Sequence, residues 1–315
     1  MRFSLIVLIS FLAGSLNAQW HWQNMDSAYQ PLPASMHVYR TNDSTDGKPN
    51  IAYYVSVDLK DPHLDIVSGV GKGKRFTPSE YFEKEGRPLL VMNCTFFEFV
   101  HNSNQNIVVK DGKLEAYQVH SIPARGKDTF TYRHAFGSAI GIDKHHRADV
   151  AWLYTDSASE YPYASQSVVA HFGDSVIHHT QAEMLSKGSF RKWKMKTAVG
   201  GGPVLLQQGE LHITNNEELK FTGKAIIDKH PRTAMGYTRD GKLIFLVIEG
   251  RFPNKAEGAT LTQEAQMLQQ LGCLEALNLD GGGSSSLLIN GKPTITPSDK
   301  EGQRPVPAVI MVKGK

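Results

Sequence analysis

The run Ala276-Leu277-Asn278-Leu279-Asp280-Gly281-Gly282-Gly283-Ser284-Ser285-Ser286 restricts the fold more than any other stretch of this chain. Alternation puts Asn278 and Asp280 on one face of a strand and Leu277 and Leu279 on the other. The strand then passes into three glycines, which open positive φ and remove every side chain from the approach. Three hydroxyls follow. A carboxylate and an amide beside bare N–H groups suit an oxygen-rich ligand such as a sugar phosphate. The same run also reads as a tight turn between two buried strands.

The remaining composition is that of a globular protein: 40% hydrophobic, 21% charged, formal net charge +3. No Lys/Arg cluster is present to hold nucleic acid. Residues 1–18 read as a secretory signal, with Arg2 ahead of a short apolar stretch from Leu5 to Ala13 and a cut after Ala18. No later segment is apolar enough to cross a membrane. The expectation is a secreted or periplasmic protein with no membrane span, no nucleic-acid partner and no protein partner. Cys94 and Cys273 read equally as a disulfide of an exported chain or as free core residues. His145-His146 and His178-His179 are neighbours that a strand would point to opposite faces, which disfavours chelation by either pair.

Strand signals outnumber helix signals. Strands are expected at 51–59, 64–68, 89–93, 136–142, 168–172 and 197–208, the last broken by Gly200-Gly201-Gly202-Pro203. A hairpin is expected over 107–118, and a clearer one joins 233–238 to 243–249 through Arg239-Asp240-Gly241-Lys242. Region 143–165 reads as an irregular insertion or lid. Gly69 to Lys74 reads as a basic glycine loop, solvated or phosphate-holding. A short helix is expected over 77–84. A stronger one starts at Thr260, with Gln263 completing a capping box, and ends at Gly272. The fold class is therefore α+β: mixed or antiparallel sheets, few helices and an active site at strand ends. The division expected is a signal over 1–18, a strand-rich segment over 19–87 packed on the catalytic domain, and that domain over 88–315.

Four motifs share one construction, a strand followed by polar groups and glycines. They are Asn93-Cys94-Thr95-Phe96-Phe97, Gly200-Gly201-Gly202-Pro203, His230-Pro231-Arg232-Thr233-Ala234 with Glu249-Gly250-Arg251, and the Asp280 run. Together they resemble the phosphodiester glycosidase family, from about Leu89 to Val312, and the tail through Arg304-Pro305-Val306 resembles the family's closing segment. Two positions depart from its pattern: Glu249-Gly250 stands where Asp-Gly is common, and Cys94 where Gly is. The resemblance implies hydrolysis of the bond between a sugar's anomeric carbon and a phosphodiester oxygen, releasing free sugar and a phosphate monoester. A carbohydrate or glycosyl-phosphate substrate follows, with a place in carbohydrate or exopolysaccharide metabolism.

Such chemistry ordinarily uses two carboxyl groups. Asp280 and Glu249 are the candidates, since each ends an expected strand beside glycine. Arg232 is the leading candidate phosphate partner because its guanidinium matches a phosphate edge; the alternative is a surface or sheet-edge arginine paired with a nearby acid. Expected substrate contacts are Asn93, Thr95, Gly201, Gly202, His230, Asn278, Gly281, Gly282, Gly283, Ser284 and Ser285, with Arg251 and Arg304 as weaker phosphate candidates. Phe96 and Phe97 read as core, with at most one a sugar platform. No cofactor is expected. Asp280, Glu249 and Asn278 are oxygen donors suited to calcium or magnesium, so a divalent cation stays open. Two rival readings also stay open: a phosphodiesterase attacking phosphorus, and a polysaccharide-binding protein without catalysis.

Overall fold

The computed structural model of the chain describes residues 19–123, 131–169, 172–174 and 190–315. The expected signal at 1–18, the His178-His179 pair and part of the expected 168–172 strand lie outside the described residues. Neighbouring strands run antiparallel throughout the sheets that build the core.

The largest sheet has eight strands. Its order is Gln23–Asn24, Met36–Thr41, Ile51–Asp58, Lys242–Glu249, Arg232–Thr238, Cys273–Asn278, Val204–Gln207 and Glu210–Leu211. Alternation sorts its side chains. Val55, Met235, Phe245, Val247, Leu277 and Leu279 face a core shared with Leu90, Met92 and Ile310 of a five-stranded sheet and with Ile140, Trp152 and Val199 of a seven-stranded one. Ala234, Leu246, Ile248 and Ala276 face the other way, under the helix Leu261–Gln270. That helix carries the expected capping box, with Thr260 bonded to the Gln263 N–H and Gln263 returning to the Thr260 N–H. Burying Leu261, Met267 and Leu268 contributes about 1.5–3 kcal/mol each to docking it.

The two ends of the chain share sheets. Ile51–Asp58 pairs along the whole of Lys242–Glu249, and Leu64–Val70 pairs along Ala308–Gly314. Residues 19–87 thus supply strands that hydrogen-bond to the C-terminal half.

Two local expectations change. Region 143–165 is no insertion: Ala148–Tyr154 and Tyr163–Ser165 are strands of the seven-stranded sheet. Val150 and Trp152 face one core and Ala151 and Leu153 another, so a doubly buried strand shows no alternation to read. The expected strand 197–208 is two strands in different sheets, Thr197–Gly200 and Val204–Gln207, with the glycines as the crossing. Gly201 has to be glycine there, because a Cβ would lie 2.3 Å from the Asn278 carbonyl oxygen. Cys94 and Cys273 are both free and buried in separate cores.

Candidate active site

Asp280 is held first through its backbone. The Cys94 carbonyl accepts from the Asp280 N–H at 2.8 Å, and the Asn93 side chain donates to the Asp280 carbonyl at 2.6 Å. The Asn93 oxygen also accepts from the Thr233 hydroxyl (3.2 Å) and the Ser286 N–H (3.0 Å). Asn93 is fully buried, so it acts as a cross-link between three strand ends. Thr95 is also buried, and its hydroxyl donates to Asn104 at 2.5 Å. Both are expected from the sequence to touch substrate; the structure gives both to the scaffold.

The three glycines after Asp280 each admit a different neighbour. A Cβ on Gly281 would sit 2.8 Å from the Pro231 carbonyl oxygen. One on Gly282, whose φ is +62°, would sit 2.9 Å from an Arg251 nitrogen, and one on Gly283 would sit 2.3 Å from an Arg304 nitrogen. The run is therefore bare because two guanidiniums and a strand end crowd it. Ser284 is buried and hydrogen-bonds the Asp280 carboxyl, while Ser285 accepts from Thr233 at 3.1 Å.

Beside Asp280 lies a cleft of about 210 Å³. Phe96 and Phe221 wall it edge to face, at 5.9 Å between centroids. His230, Arg232, Arg251 and Asn278 line it with Asp280. Phe96 is thus the more exposed member of its pair, whereas Phe97 packs into a core. Asn278 donates to the Gly202 carbonyl at 2.7 Å, which leaves its buried oxygen without a protein partner. The buried Nδ1 of His230 is likewise unpartnered. Burial, then the charges of Arg232 and Arg251, pull the His230 pKa down, so its ring is neutral at neutral pH.

The electrostatics set Asp280 apart. Burial pushes its carboxyl up to about 7, against opposing pulls from the Ser284 hydroxyl, Arg304, Lys220 and the Gly281 N–H. Lys220 is pulled down to about 8 by burial and held there by Glu218 and Asp280. Its ammonium lies 4.7 Å from the Phe96 ring centroid. Beneath it Glu218 accepts from Thr214 (2.6 Å), the Val204 N–H (3.0 Å), Trp152 (3.2 Å) and the Ser138 hydroxyl (2.7 Å). Glycine at 202, with φ of +113°, clears room for this pair, since a Cβ would meet the Glu218 carboxylate at 2.3 Å and Lys220 Cε at 2.5 Å.

Arg232 is 3% exposed; its Nε donates to the Ala259 carbonyl (2.9 Å) and its Nη2 to the Asp228 carbonyl (3.2 Å). Behind it Glu264 is fully buried with both carboxyl oxygens unpartnered. Burial pushes Glu264 up to about 8, against the pull of Arg232.

Sequence reasoning misses Glu218, Lys220 and Glu264. The stretch 214–224 reads only as polar, and nothing in it marks two residues for burial. Glu264 does leave a signal: it stands three after Leu261 and four before Leu268, on the apolar face of the helix.

Glu249 does not join Asp280. Arg232 pairs with Ile248, so Glu249 points to the opposite face of the sheet, in phase with Val247. It is 3% exposed, accepts from the Thr296 N–H at 2.8 Å and pairs with Lys255 at 2.9 Å. It therefore ties two loops together outside the cleft. Glu249→Gln, which keeps an acceptor for Thr296, leaves turnover within about threefold of the parent, whereas loss of a proton-transferring carboxyl costs about 10²-fold or more. Steady-state kinetics decide between the two. Among the described residues, no group of three or more His, Cys, Asp or Glu side chains is placed to hold a metal ion. The expected oxygen donors Asn278 and Asp280 share the cleft, but Glu249 is not among its lining residues.

Comparison with known proteins gives a consistent result. Residues 153–313 match the family model described as phosphodiester glycosidase. The N-acetylglucosamine-1-phosphodiester alpha-N-acetylglucosaminidase of Mus musculus is 33% identical over 103 residues, which is 30% of this chain and 20% of that protein. The match thus spans about a fifth of that relative's length. The catalytic domain of the zebrafish enzyme of the same name, solved auto-inhibited by its pro-peptide, superposes with a TM-score of 0.60 at 19% identity, covering 95% of this chain and 89% of that one. A putative exported protein from Burkholderia pseudomallei gives a TM-score of 0.55 at 17% identity, covering 87% and 75%. At these identities the two superpositions establish a shared fold.

Proposed function

The chain belongs to the phosphodiester glycosidase family, and we propose that it is an exported hydrolase that cleaves the bond between a sugar's anomeric carbon and a phosphodiester oxygen. The observation that carries this reading is Asp280, a carboxyl at the edge of neutrality in a cleft it shares with Arg232 and Arg251. Water attacks the anomeric carbon as the C1–O bond breaks, and the bridging oxygen leaves on phosphorus. Asp280, ionised, faces the oxocarbenium-like carbon and takes the proton from water. A phosphate monoester is a good leaving group, with a second pKa near about 6, so one carboxyl suffices where glycosidases with alcohol leaving groups use two. Arg232 and Arg251 hold the phosphate, and the unpartnered Asn278 oxygen accepts a sugar hydroxyl. Export is supported by the apolar stretch at 5–13 and by the same fold in a protein described as a putative exported protein. No helix of the described residues is long and apolar enough to cross a membrane.

The test is hydrolysis of an N-acetylglucosamine α-1-phosphodiester in ¹⁸O-water, with the products read by NMR and mass spectrometry. Label in the free sugar supports the reading. Label in the phosphate, with sugar-1-phosphate released, moves the attack to phosphorus, and glycan binding without turnover leaves a binding protein.

The pH dependence follows from one raised and one lowered group. Asp280 works ionised, so kcat/KM rises as the pH passes about 7. Lys220, whose ammonium over the Phe96 wall adds positive charge opposite the departing phosphate, works protonated, so kcat/KM falls as the pH passes about 8. Lys220→Met removes the alkaline limb. It also moves the acid limb upward, because a cation that favoured the Asp280 carboxylate is gone. A profile unchanged by that substitution removes Lys220 from the site.

A further inference from the structure

One motif of the sequence has no part in the cleft: the basic glycine loop Gly69 to Lys74, which Arg75 follows directly. The fold lays it against the C-terminal segment that carries Arg304. Gly71 N–H donates to the Pro307 carbonyl at 2.8 Å, and Phe76 N–H to the Val306 carbonyl at 3.1 Å. The hairpin after Asn93 closes over the same place, with the Asn102 side chain donating to the Gly73 carbonyl at 3.3 Å. At its tip Phe99 is 56% exposed. Two guanidiniums flank that ring, Arg75 at 5.3 Å and Arg304 at 5.6 Å from its centroid. Phe97 packs beside it at 4.7 Å, tilted by 45°.

Arg304 links this strip to the catalytic carboxyl. It occupies the space a Gly283 side chain would fill, its Nη1 donates to Ser284 at 3.4 Å, and Ser284 bonds Asp280. Asp299 fixes it by accepting from Nε at 2.6 Å. Among the described residues Arg75 has no carboxylate within ion-pair distance, and Lys72 and Lys74 beside it are exposed. The result is a cation–ring–cation strip, joined to Asp280 by contacts through the buried Ser284, that holds a half-exposed phenyl ring between two forked donors. Such a surface matches a ligand with an apolar sugar face and an anion that accepts from guanidinium.

Resting on the function proposed above, we propose that the Arg304–Phe99–Arg75 strip is the subsite for the group on the far side of the phosphate, and that this group carries a second negative charge. Its chemistry is that of an acidic saccharide chain. The extra anion is either the next phosphodiester of a repeating glycosyl phosphate or the carboxylate of an acidic sugar.

The experiment compares N-acetylglucosamine α-1-phosphate esters whose alcohol is methanol, glucose through its 6-hydroxyl, glucose bearing a further phosphodiester, or glucuronic acid. The parent is expected to prefer a charged alcohol over neutral glucose by about tenfold in kcat/KM. Whether phosphodiester or glucuronate gains more identifies the anion. Arg75→Gln removes that preference, and Phe99→Ala lowers kcat/KM for both glucose-containing esters; both variants leave the methyl ester within about twofold. Equal rates for charged and neutral alcohols, or variants that slow every ester alike, overturn the proposal. If the parent hydrolyses none of the esters, their dissociation constants measured by calorimetry still decide. A tenfold tighter charged ester that loosens in Arg75→Gln upholds the subsite although the catalytic reading has failed, and equal affinities reject it.

Discussion

Asp280→Asn lowers kcat/KM on a glycosyl phosphodiester by about 10³-fold or more while making the protein more stable at pH 8. The first effect follows from removing the one carboxyl among the cleft's lining residues, in a step that needs a proton taken from water. The second follows from linkage. The folded carboxyl keeps its proton up to about pH 7, whereas the unfolded one gives it up near 3.8. Stability therefore falls as the pH rises from about 4 to 7 and stays lowered above. Asparagine never ionises and escapes that loss. The full shift would correspond to about 4 kcal/mol. Because Asp280 is only half-buried, water screens part of it, and a gain of about 2 kcal/mol is expected, or roughly 5 °C in Tm. Thermal unfolding of parent and variant at pH 4 and pH 8 gives the result: equal midpoints at the lower pH and a higher one for the variant at the upper. A variant less stable at both would mean that the carboxylate is held by bonds strong enough to outweigh its burial.

Arg232→Lys keeps a positive charge and loses the fork. Lysine cannot reach both the Ala259 and Asp228 carbonyls while offering paired donors to phosphate, so kcat/KM falls about 10²-fold. Arg232→Met falls by about 10³-fold and is also unstable. It deprives the Ala259 and Asp228 carbonyls of a donor, at about 1–3 kcal/mol each, and removes the cation that opposes the raised pKa of the buried Glu264. The double variant Arg232→Met/Glu264→Leu separates the two losses. Removing the stranded carboxyl returns stability toward the parent, and activity stays absent. If the double variant is as unstable as the single one, Glu264 is not coupled to Arg232; if it recovers activity, Arg232 does not hold phosphate.

How far the sequence can be read depends on burial. The capping box at Thr260, the hairpin through Gly241 and the strand end at Asp280 are legible because local rules set them: side-chain caps, turn chemistry and alternation. The strand Ala148–Tyr154 is not, since burial on both faces erases alternation. Within the site, Arg232, Asn278, His230 and Asp280 do share one cleft. Glu249 does not, and the difference is one of phase: the register Arg232 to Ile248 puts it on the wrong face, and register is set by pairing across some 16 residues of chain, not by the strand itself. Lys220 and Glu218 are invisible because their importance lies in the company they keep, and that company comes from Gly202, Ser138 and Trp152.

The pairing of the chain's two ends also bears on how the molecule is made. Leu64 lies opposite Gly314 and Val70 opposite Ala308, so the strand Leu64–Val70 has no neighbour on that side until Ala308–Gly314 has been synthesised. Contacts of such long sequence separation form slowly and leave a strand edge bare while they wait. As the polypeptide leaves the ribosome it therefore carries an unfinished sheet edge while all the residues between Val70 and Ala308 are being added.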